Sequence, residues 1–303
     1  MTSRLDLLRR AADLRSARTA FVLATVVRAQ RPTSAKAGDS ALMLPDGTLD
    51  GFVGGTCAET TVRLQGLRLL ETGQSTLLRI TPEPEPAADV AGEGLVVTAN
   101  PCLSGGTLEI FLEAVIPPPL VHVFGDAPVA RALVSLGAPL GYQIDGTTDP
   151  ETPIAPDAVA VVVASHGRDE ERVLHAALRS PAPYVGLVAS RRRGSAVLDD
   201  LHLTAADRSR VRTPAGLDIG ARTPPEIALS ILAEIVAQRP RTPARAGVAP
   251  TAQPPTATAT DPVCGMAVAV TADAIRLEHG GQTWYFCGSG CRDAFADAPA
   301  RYV

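Results

Sequence analysis

Cys57 and Cys102 each sit beside a pair of glycines, in Gly54-Gly55-Thr56-Cys57-Ala58-Glu59 and in Pro101-Cys102-Leu103-Ser104-Gly105-Gly106. Glycine permits positive φ and lets a ligand approach main-chain N–H groups, so a thiol in this setting reads as a soft ligand in a binding loop. The plainer alternative is a small apolar side chain packed in a core. Three more cysteines lie near the C-terminus, Cys264 in a Pro-Val-Cys-Gly turn and the pair Cys287-Gly-Ser-Gly-Cys291 leading into a helix at Arg292 to Ala298. A turn that aims N–H groups at one sulfur, followed by two thiols at a helix start, resembles a knuckle-type metal site. Three thiolates are one short of a closed tetrahedral zinc site, so His279, a carboxylate or an exogenous ligand has to complete it. The competing reading is a buried Cys264 and a labile disulfide between the other two. Five cysteines, an odd number, argue for ligation or redox chemistry over a disulfide scaffold.

Elsewhere the chemistry is that of anion binding. Ser190-Arg191-Arg192-Arg193 places three cations at the start of a helix, where positive charge is disfavoured unless an anionic ligand such as a phosphate is also held there. A solvated basic face is the alternative, and it is favoured for Arg28, Arg31 and Lys36 around Pro32. His166 follows an apolar strand at the edge where open α/β sheets bind ligands, and can contact a ligand or cap the next helix. Gly125-Asp126-Ala127-Pro128 occupies the position of a dinucleotide fingerprint, but Ala127 replaces the glycine that admits the pyrophosphate and Asp126 adds a repulsive charge. Asp145 stands about 20 residues on, a weak match to the ribose-binding acid. No Ser-His-Asp order, paired carboxylate motif or P-loop is visible, so hydrolysis and phosphoryl transfer have no support.

The elements that position these residues divide the chain. Ser3 to Arg18 reads as a helix with Leu5, Leu8, Ala12 and Arg15 on one face and Ser3 as its cap. Phe21 to Val27 and Ala41 to Leu44 read as strands, the second ending in Pro45-Asp46-Gly47. Ala58 to Thr72 is helical, with Val62, Leu69 and Leu70 on the apolar face, Glu59 in the first turn and Gly73 as the stop, so Cys57 lies at a helix N-terminus. Leu77 to Ile80, Leu95 to Thr98 and Thr107 to Ala114 are further strands, and Pro117-Pro118-Pro119 forms an extended spacer. Beyond it, apolar runs Leu120 to Phe124, Ala158 to Ala164 and Tyr184 to Val188 alternate with helices at Pro128 to Leu136 and Glu170 to Leu178, the pattern of a covered parallel sheet. A helix from Pro225 to Gln238 follows Thr223. Arg239 to Thr260 is dominated by Pro, Ala and Thr and reads as a linker. The expected organisation is an α/β first domain at 1–116, a Rossmann-like domain at 119–238, the linker at 239–260 and a small cysteine-containing module at 261–303.

The chain has 303 residues and a formal charge of −4. That length favours two or three domains, and the lack of a basic excess argues against nucleic acid as a partner. Phe21 to Val27 is too short to span a bilayer, and no small-residue cleavage site follows it. A cytoplasmic protein without stable membrane insertion is expected.

Four segments in order resemble the XdhC/CoxI family of accessory proteins for molybdenum hydroxylases such as xanthine dehydrogenase and carbon monoxide dehydrogenase. They are Phe52 to Glu59, Cys102-Leu-Ser-Gly-Gly-Thr-Leu-Glu-Ile-Phe-Leu-Glu113, Gly186-Leu-Val-Ala-Ser-Arg-Arg-Arg193 and Gly216-Leu-Asp-Ile-Gly-Ala-Arg-Thr223. The usual Gly-x-Gly-His turn is replaced by Gly125-Asp126-Ala127-Pro128. The last module is similar to a YHS domain, through Asp261-Pro-Val-Cys-Gly-Met266, Tyr285-Phe-Cys-Gly-Ser-Gly-Cys291 and Phe295 to Tyr302. The resemblance implies an accessory protein, more a chaperone than an enzyme. It would bind the molybdenum cofactor transiently, shield it while a cysteine desulfurase supplies the sulfido ligand, and pass it to an apo molybdenum hydroxylase. The expected cofactor residues are Gly54, Gly55, Cys57, Glu59, Cys102, Ser104, Gly105, Gly106, Gly125, His166, Ser190, Arg191 and Arg192. The expected metal ligands are Cys264, Cys287 and Cys291, for zinc or copper, and a homo-oligomer is compatible. Two other readings stay open, an NAD(P)-dependent Rossmann oxidoreductase and a metal sensor or metallochaperone acting through the tail.

Overall fold

Strict alternation along β1 (Phe21–Gln30) sends Val22, Ala24 and Val26 to one side of a sheet and Phe21 and Leu23 to the other, so both faces must be covered. The computed structural model describes residues 3–83, 94–100, 106–239 and 257–303. It forms two units, Met1–Pro117 with Arg245–Val303, and Pro118–Ala244.

In the first unit α1 (Arg4–Ser16) covers one face. Its buried positions are Leu7 and Leu14, which meet Phe21 and Leu42. Leu5 and Leu8, expected on the packed face, are 58% and 52% exposed. Leu7, Ala11 and Leu14 have the same helical spacing, and the stripe that finds apolar partners is the one that docks. After β2 (Ser40–Met43) and β3 (Leu49–Gly51) comes α2 (Thr56–Thr72), which covers the other face through Val62, Leu64 and Leu67. Leu69 and Leu70 are only partly buried on its flank. Gly73 ends the helix in the left-handed conformation, φ 68°. With β4 (Thr76–Thr81), β5 (Leu95–Ala99) and β6 (Thr107–Val115) the sheet runs β3-β2-β1-β6-β4-β5, antiparallel except for the β4–β5 pair.

The second unit begins with β7 (Leu120–Phe124), α3 (Pro128–Gly137), β8 (Gln143–Thr147), β9 (Ala158–Val163), α4 (Glu170–Arg179) and β10 (Tyr184–Leu187). It continues with α5 (Arg191–Asp200), α6 (Ala205–Arg210), β11 (Val211–Arg212) and α7 (Pro224–Gln238). Its five strands are parallel in the order β11-β10-β9-β7-β8. Apolar clusters lie on both faces, as continuous runs such as Ala158-Val-Ala-Val-Val-Val163 require. Thr223 and Glu226 form a capping box at the start of α7.

The last segment returns to the first unit. Thr258, Ala259 and Thr260, read above as the end of a linker, form β12 (Thr258–Thr260) and pair with β13 (Ala267–Ala269); residues 240–256 of that stretch lie outside the described residues. A hairpin, β14 (Ile275–His279) and β15 (Gln282–Phe286), turns at Gly280-Gly281, both at positive φ. Then comes α8 (Ser289–Asp297), starting three residues earlier than expected. Phe295, fully buried, gathers His279, Trp284, Phe286 and Tyr302 within 5.3–6.2 Å between ring centroids. Ala269 packs into the α2-facing core of the first domain, docking the module there. Among the described residues, no helix is long and apolar enough to cross a membrane.

Trp284 is the chain's one tryptophan, so its fluorescence reports on this module alone. Phe295→Ala is expected to destabilise the module by about 3–5 kcal/mol. A shift of the Trp284 emission transition to lower denaturant, with the helical signal of the rest retained, is the measurement.

Candidate functional site

Gly55 caps α2 in extended backbone and Cys57 is the second helical residue, as the sequence implied. The tail brings its own thiols to this point. The Cys264 and Cys287 sulfurs are 3.5 Å apart and those of Cys287 and Cys291 3.6 Å. Cys57 packs against the same cluster, beside Met266, Val268 and Cys287. None of these four cysteines is in a disulfide, so the labile-disulfide alternative has no place in this structure.

Asp261 holds the arrangement together. It is fully buried, and Oδ1 accepts from the Val263 and Cys264 N–H groups at 2.9 and 3.4 Å while Oδ2 accepts from the Cys287 N–H at 2.7 Å. Burial opposes its charge, but the N–H donors of Cys287 and Val263 outweigh it, and its carboxyl stays below the usual range. The hydrogen bond from Cys287 lowers the Cys264 thiol. Cys287 is raised by its bonds to Cys264 and Cys57 and by burial, and Cys291 is pushed up to about 12, chiefly by burial. Asp261 with the three tail cysteines is the cluster among the described residues whose ligand atoms all lie within 4.8 Å of one another. His279, the other protein ligand considered, instead packs edge-on against Phe295.

Beside the thiols is a cavity of about 330 Å³, lined by Gly55, Cys57, Asn100 and Gly106 from the first domain and by Gly288, Ser289 and Gly290 from the tail. Gly106 is required there, since a Cβ would collide with the carbonyl oxygens of Pro32 and Gln30. Gly54 and Glu59 do not line it; Glu59 is half-buried, its carboxyl raised by burial against the pull of Arg63. Cys102, Ser104 and Gly105 lie outside the described residues.

The second unit carries a larger cavity, about 620 Å³, beyond the carboxyl ends of β10 and β11. His166, Ser190, Arg191 and Arg193 line it with the Pro214–Ala221 loop. Ser190 caps α5 by accepting from the Arg193 N–H at 3.3 Å. Arg193 pairs with buried Glu170, which also accepts from the Gly167 N–H at 2.8 Å and so fixes the His166 loop. Arg191, with 84% of its side chain exposed, is the solvated cation at this mouth, 3.8 Å from Asp218. Glu234 holds the far wall by accepting from the Tyr184 hydroxyl at 2.7 Å and the Gly216 N–H at 2.8 Å. Arg192 and Gly125 do not line the cavity. Gly125, at φ 116°, is pressed against the Ala164 carbonyl, where a side chain cannot fit, and Asp126 is paired with Arg168. The glycine thus serves chain packing at the sheet edge.

Sequence reasoning missed Asp261, Glu170 and Glu234, and the meeting of Cys57 with the tail. For Asp261 a signal existed, because an aspartate two and three residues before free N–H groups is an Asx-turn pattern. The long-range contacts carried none.

Comparison with known proteins places these features. Residues 14–81 match the XdhC and CoxI family, residues 121–235 the XdhC Rossmann domain, and residues 259–303 the YHS domain. The chain thus carries an XdhC/CoxI domain, an XdhC Rossmann domain and a YHS domain. Among its relatives, the "Molybdenum cofactor insertion chaperone PaoD" of Escherichia coli K12 is 26% identical over 72% of the chain and 83% of the relative. A probable xanthine dehydrogenase subunit of Bacillus subtilis 168 is 27% identical over 45% of the chain and 47% of the relative. The YHS module alone is 46% identical to part of a "Copper-transporting P-type ATPase" of Rhizobium leguminosarum bv. viciae, over 14% of the chain and 5% of the relative. The chain spans about half the length of the first curated relatives it matches.

Removing the Asp261 carboxylate strands three N–H groups. Asp261→Ala is expected to cost about 1–3 kcal/mol per lost charge-assisted bond and to speed alkylation of Cys287 at least about tenfold. Thiol-trapping rates on the reduced full chain, read residue by residue by mass spectrometry, measure it.

Proposed function

We propose that this protein is a maturation factor that binds the molybdenum cofactor and delivers it to an apo molybdenum hydroxylase. The observation that carries the reading is the similarity to the PaoD chaperone across most of both chains. The residues fit such a ligand. A cavity of about 620 Å³ is of the size that encloses a cofactor, which usually takes about 300–1,000 Å³. At its mouth the α5 N-terminus and the accessible Arg191 guanidinium suit a phosphate, while His166 and the Gly216 loop offer polar groups to a pterin. In this reading a cysteine desulfurase supplies sulfur during the protein's custody of the cofactor, and the chain acts by binding and shielding without a catalytic step of its own. A soft metal at the tail thiols, zinc or copper, is the second part of the proposal, supported by the Cys264–Cys287–Cys291 spacing.

The test is to purify the full chain from a cofactor-producing host and assay molybdenum and pterin per chain. Wild type is expected to retain both, and Arg191→Ala to lower retention by about tenfold or more, the worth of a charge-assisted bond. No pterin on wild type, or equal retention in the variant, overturns the assignment to this cavity. A rise in melting temperature with NAD(P) would instead favour the oxidoreductase reading.

A further inference from the structure

Asp261 is the carboxylate that joins the three tail thiols within mutual reach, yet it is badly placed to be a fourth metal ligand. Three main-chain N–H groups already occupy its two oxygens, and those bonds tie the Cys264 turn to the start of α8. A carboxylate so engaged has little lone-pair capacity left, and acts as the strap between two ligand-bearing turns. The sulfurs have the spacing of a metal site already. Their separations of 3.5 and 3.6 Å approach about 3.8 Å, the edge of a tetrahedron with bonds of about 2.3 Å.

A fourth sulfur comes from the other module. Cys57 packs, together with Cys264 and Cys291, on Met266, Val268 and Cys287, one step outside the group of ligand atoms that all lie within 4.8 Å of one another. The approach is fixed from the same helix, where the Thr60 hydroxyl donates to the Cys287 carbonyl at 2.9 Å in a buried contact. Cys57 thus reaches the cluster on a rigid element whose packing partners are the tail's own residues.

We propose that Cys57, Cys264, Cys287 and Cys291 form one four-thiolate site for a thiophilic d10 ion, zinc foremost, so that the metal fastens the tail to the first domain. The proposal rests on the reading of the tail thiols as a metal site and adds the ligand that closes it. Four sulfurs in a tetrahedron are the donor set of structural zinc; copper(I) shares the preference for thiolate but accepts fewer ligands. Binding forms four metal–sulfur bonds and releases the thiol protons to water, with no change of oxidation state. Because Gly288 to Gly290 and Gly55 to Ala58 line the same 330 Å³ cavity, the ion also fixes one wall of it.

The experiment uses the reduced, metal-free full chain and its Cys57→Ser variant, titrated separately with zinc, copper(I) and cobalt(II) as a spectroscopic probe. Wild type is expected to take up one zinc per chain and to give the tetrahedral cobalt bands and thiolate charge transfer of four sulfurs. The variant should lose about a quarter of the charge-transfer intensity and bind zinc more than about 100-fold more weakly, beyond the usual effect of an outer-shell change. Zinc should also protect Cys57 from alkylation in wild type. If wild type binds one ion and the variant matches it in spectrum and affinity, the four-thiolate site is overturned while the tail reading stands. If wild type binds none, both fail. Three-sulfur copper(I) binding tighter than zinc overturns the closed site as well. Trp284 emission, unchanged in the variant, excludes misfolding of the module as the cause of a loss.

Discussion

The buried carboxylate of Asp261 is the constraint on which the C-terminal module's arrangement turns. A charge that is fully removed from solvent is tolerated only when donors surround it, and here they come from two separated stretches of chain, Val263–Cys264 and Cys287. Satisfying that charge therefore brings the first cysteine turn against the end of β15 and the start of α8. The thiols are neighbours because the carboxylate needs their backbones. A single buried carboxylate thus fixes how the two cysteine-bearing turns sit against each other.

The module has too small a core to stand on that alone. About 43 residues bury an aromatic cluster around Phe295 and a small cluster of Met266, Val268 and Cys287, a size at which domains commonly need a metal, disulfides or a partner surface. One of these supports, a partner surface, is present in the geometry. Ala269 enters the core of the first domain, and Thr60 bonds to the Cys287 carbonyl, so the partner surface is α2. The thiol cluster lies on that same surface.

Local rules made much of this legible in advance. The β-branched run Phe21–Val27 and the apolar runs of the second sheet announced strands, Gly73 announced a helix end, and the position of Cys57 at the α2 N-terminus followed directly. Helical periodicity alone failed on α1, because Leu5–Leu8 and Leu7–Leu14 are both helically spaced and only tertiary partners choose between them. The tail hairpin went unread although Gly280-Gly281 marks its turn. Above all, the five cysteines were divided by sequence distance into a pair and a trio. Cys57 and Cys287 are 230 positions apart, and nothing periodic or compositional records that they touch.

The two cavities differ in a way that bears on what each can hold. In the second unit the walls are fastened by carboxylates acting on main chain, Glu170 on Gly167 and Glu234 on Gly216, and this leaves Arg191 as the cation at the mouth that is mostly exposed. That guanidinium is paired with the exposed Asp218, which lines the same cavity, so an anion at the mouth competes with a carboxylate for it. In the first unit the cavity wall is formed by two modules, joined through soft donors whose protonation resists ionisation at Cys287 and Cys291. The larger cavity is thus held by carboxylates bonded to main chain within one unit, whereas one wall of the smaller lies beside the sulfur cluster.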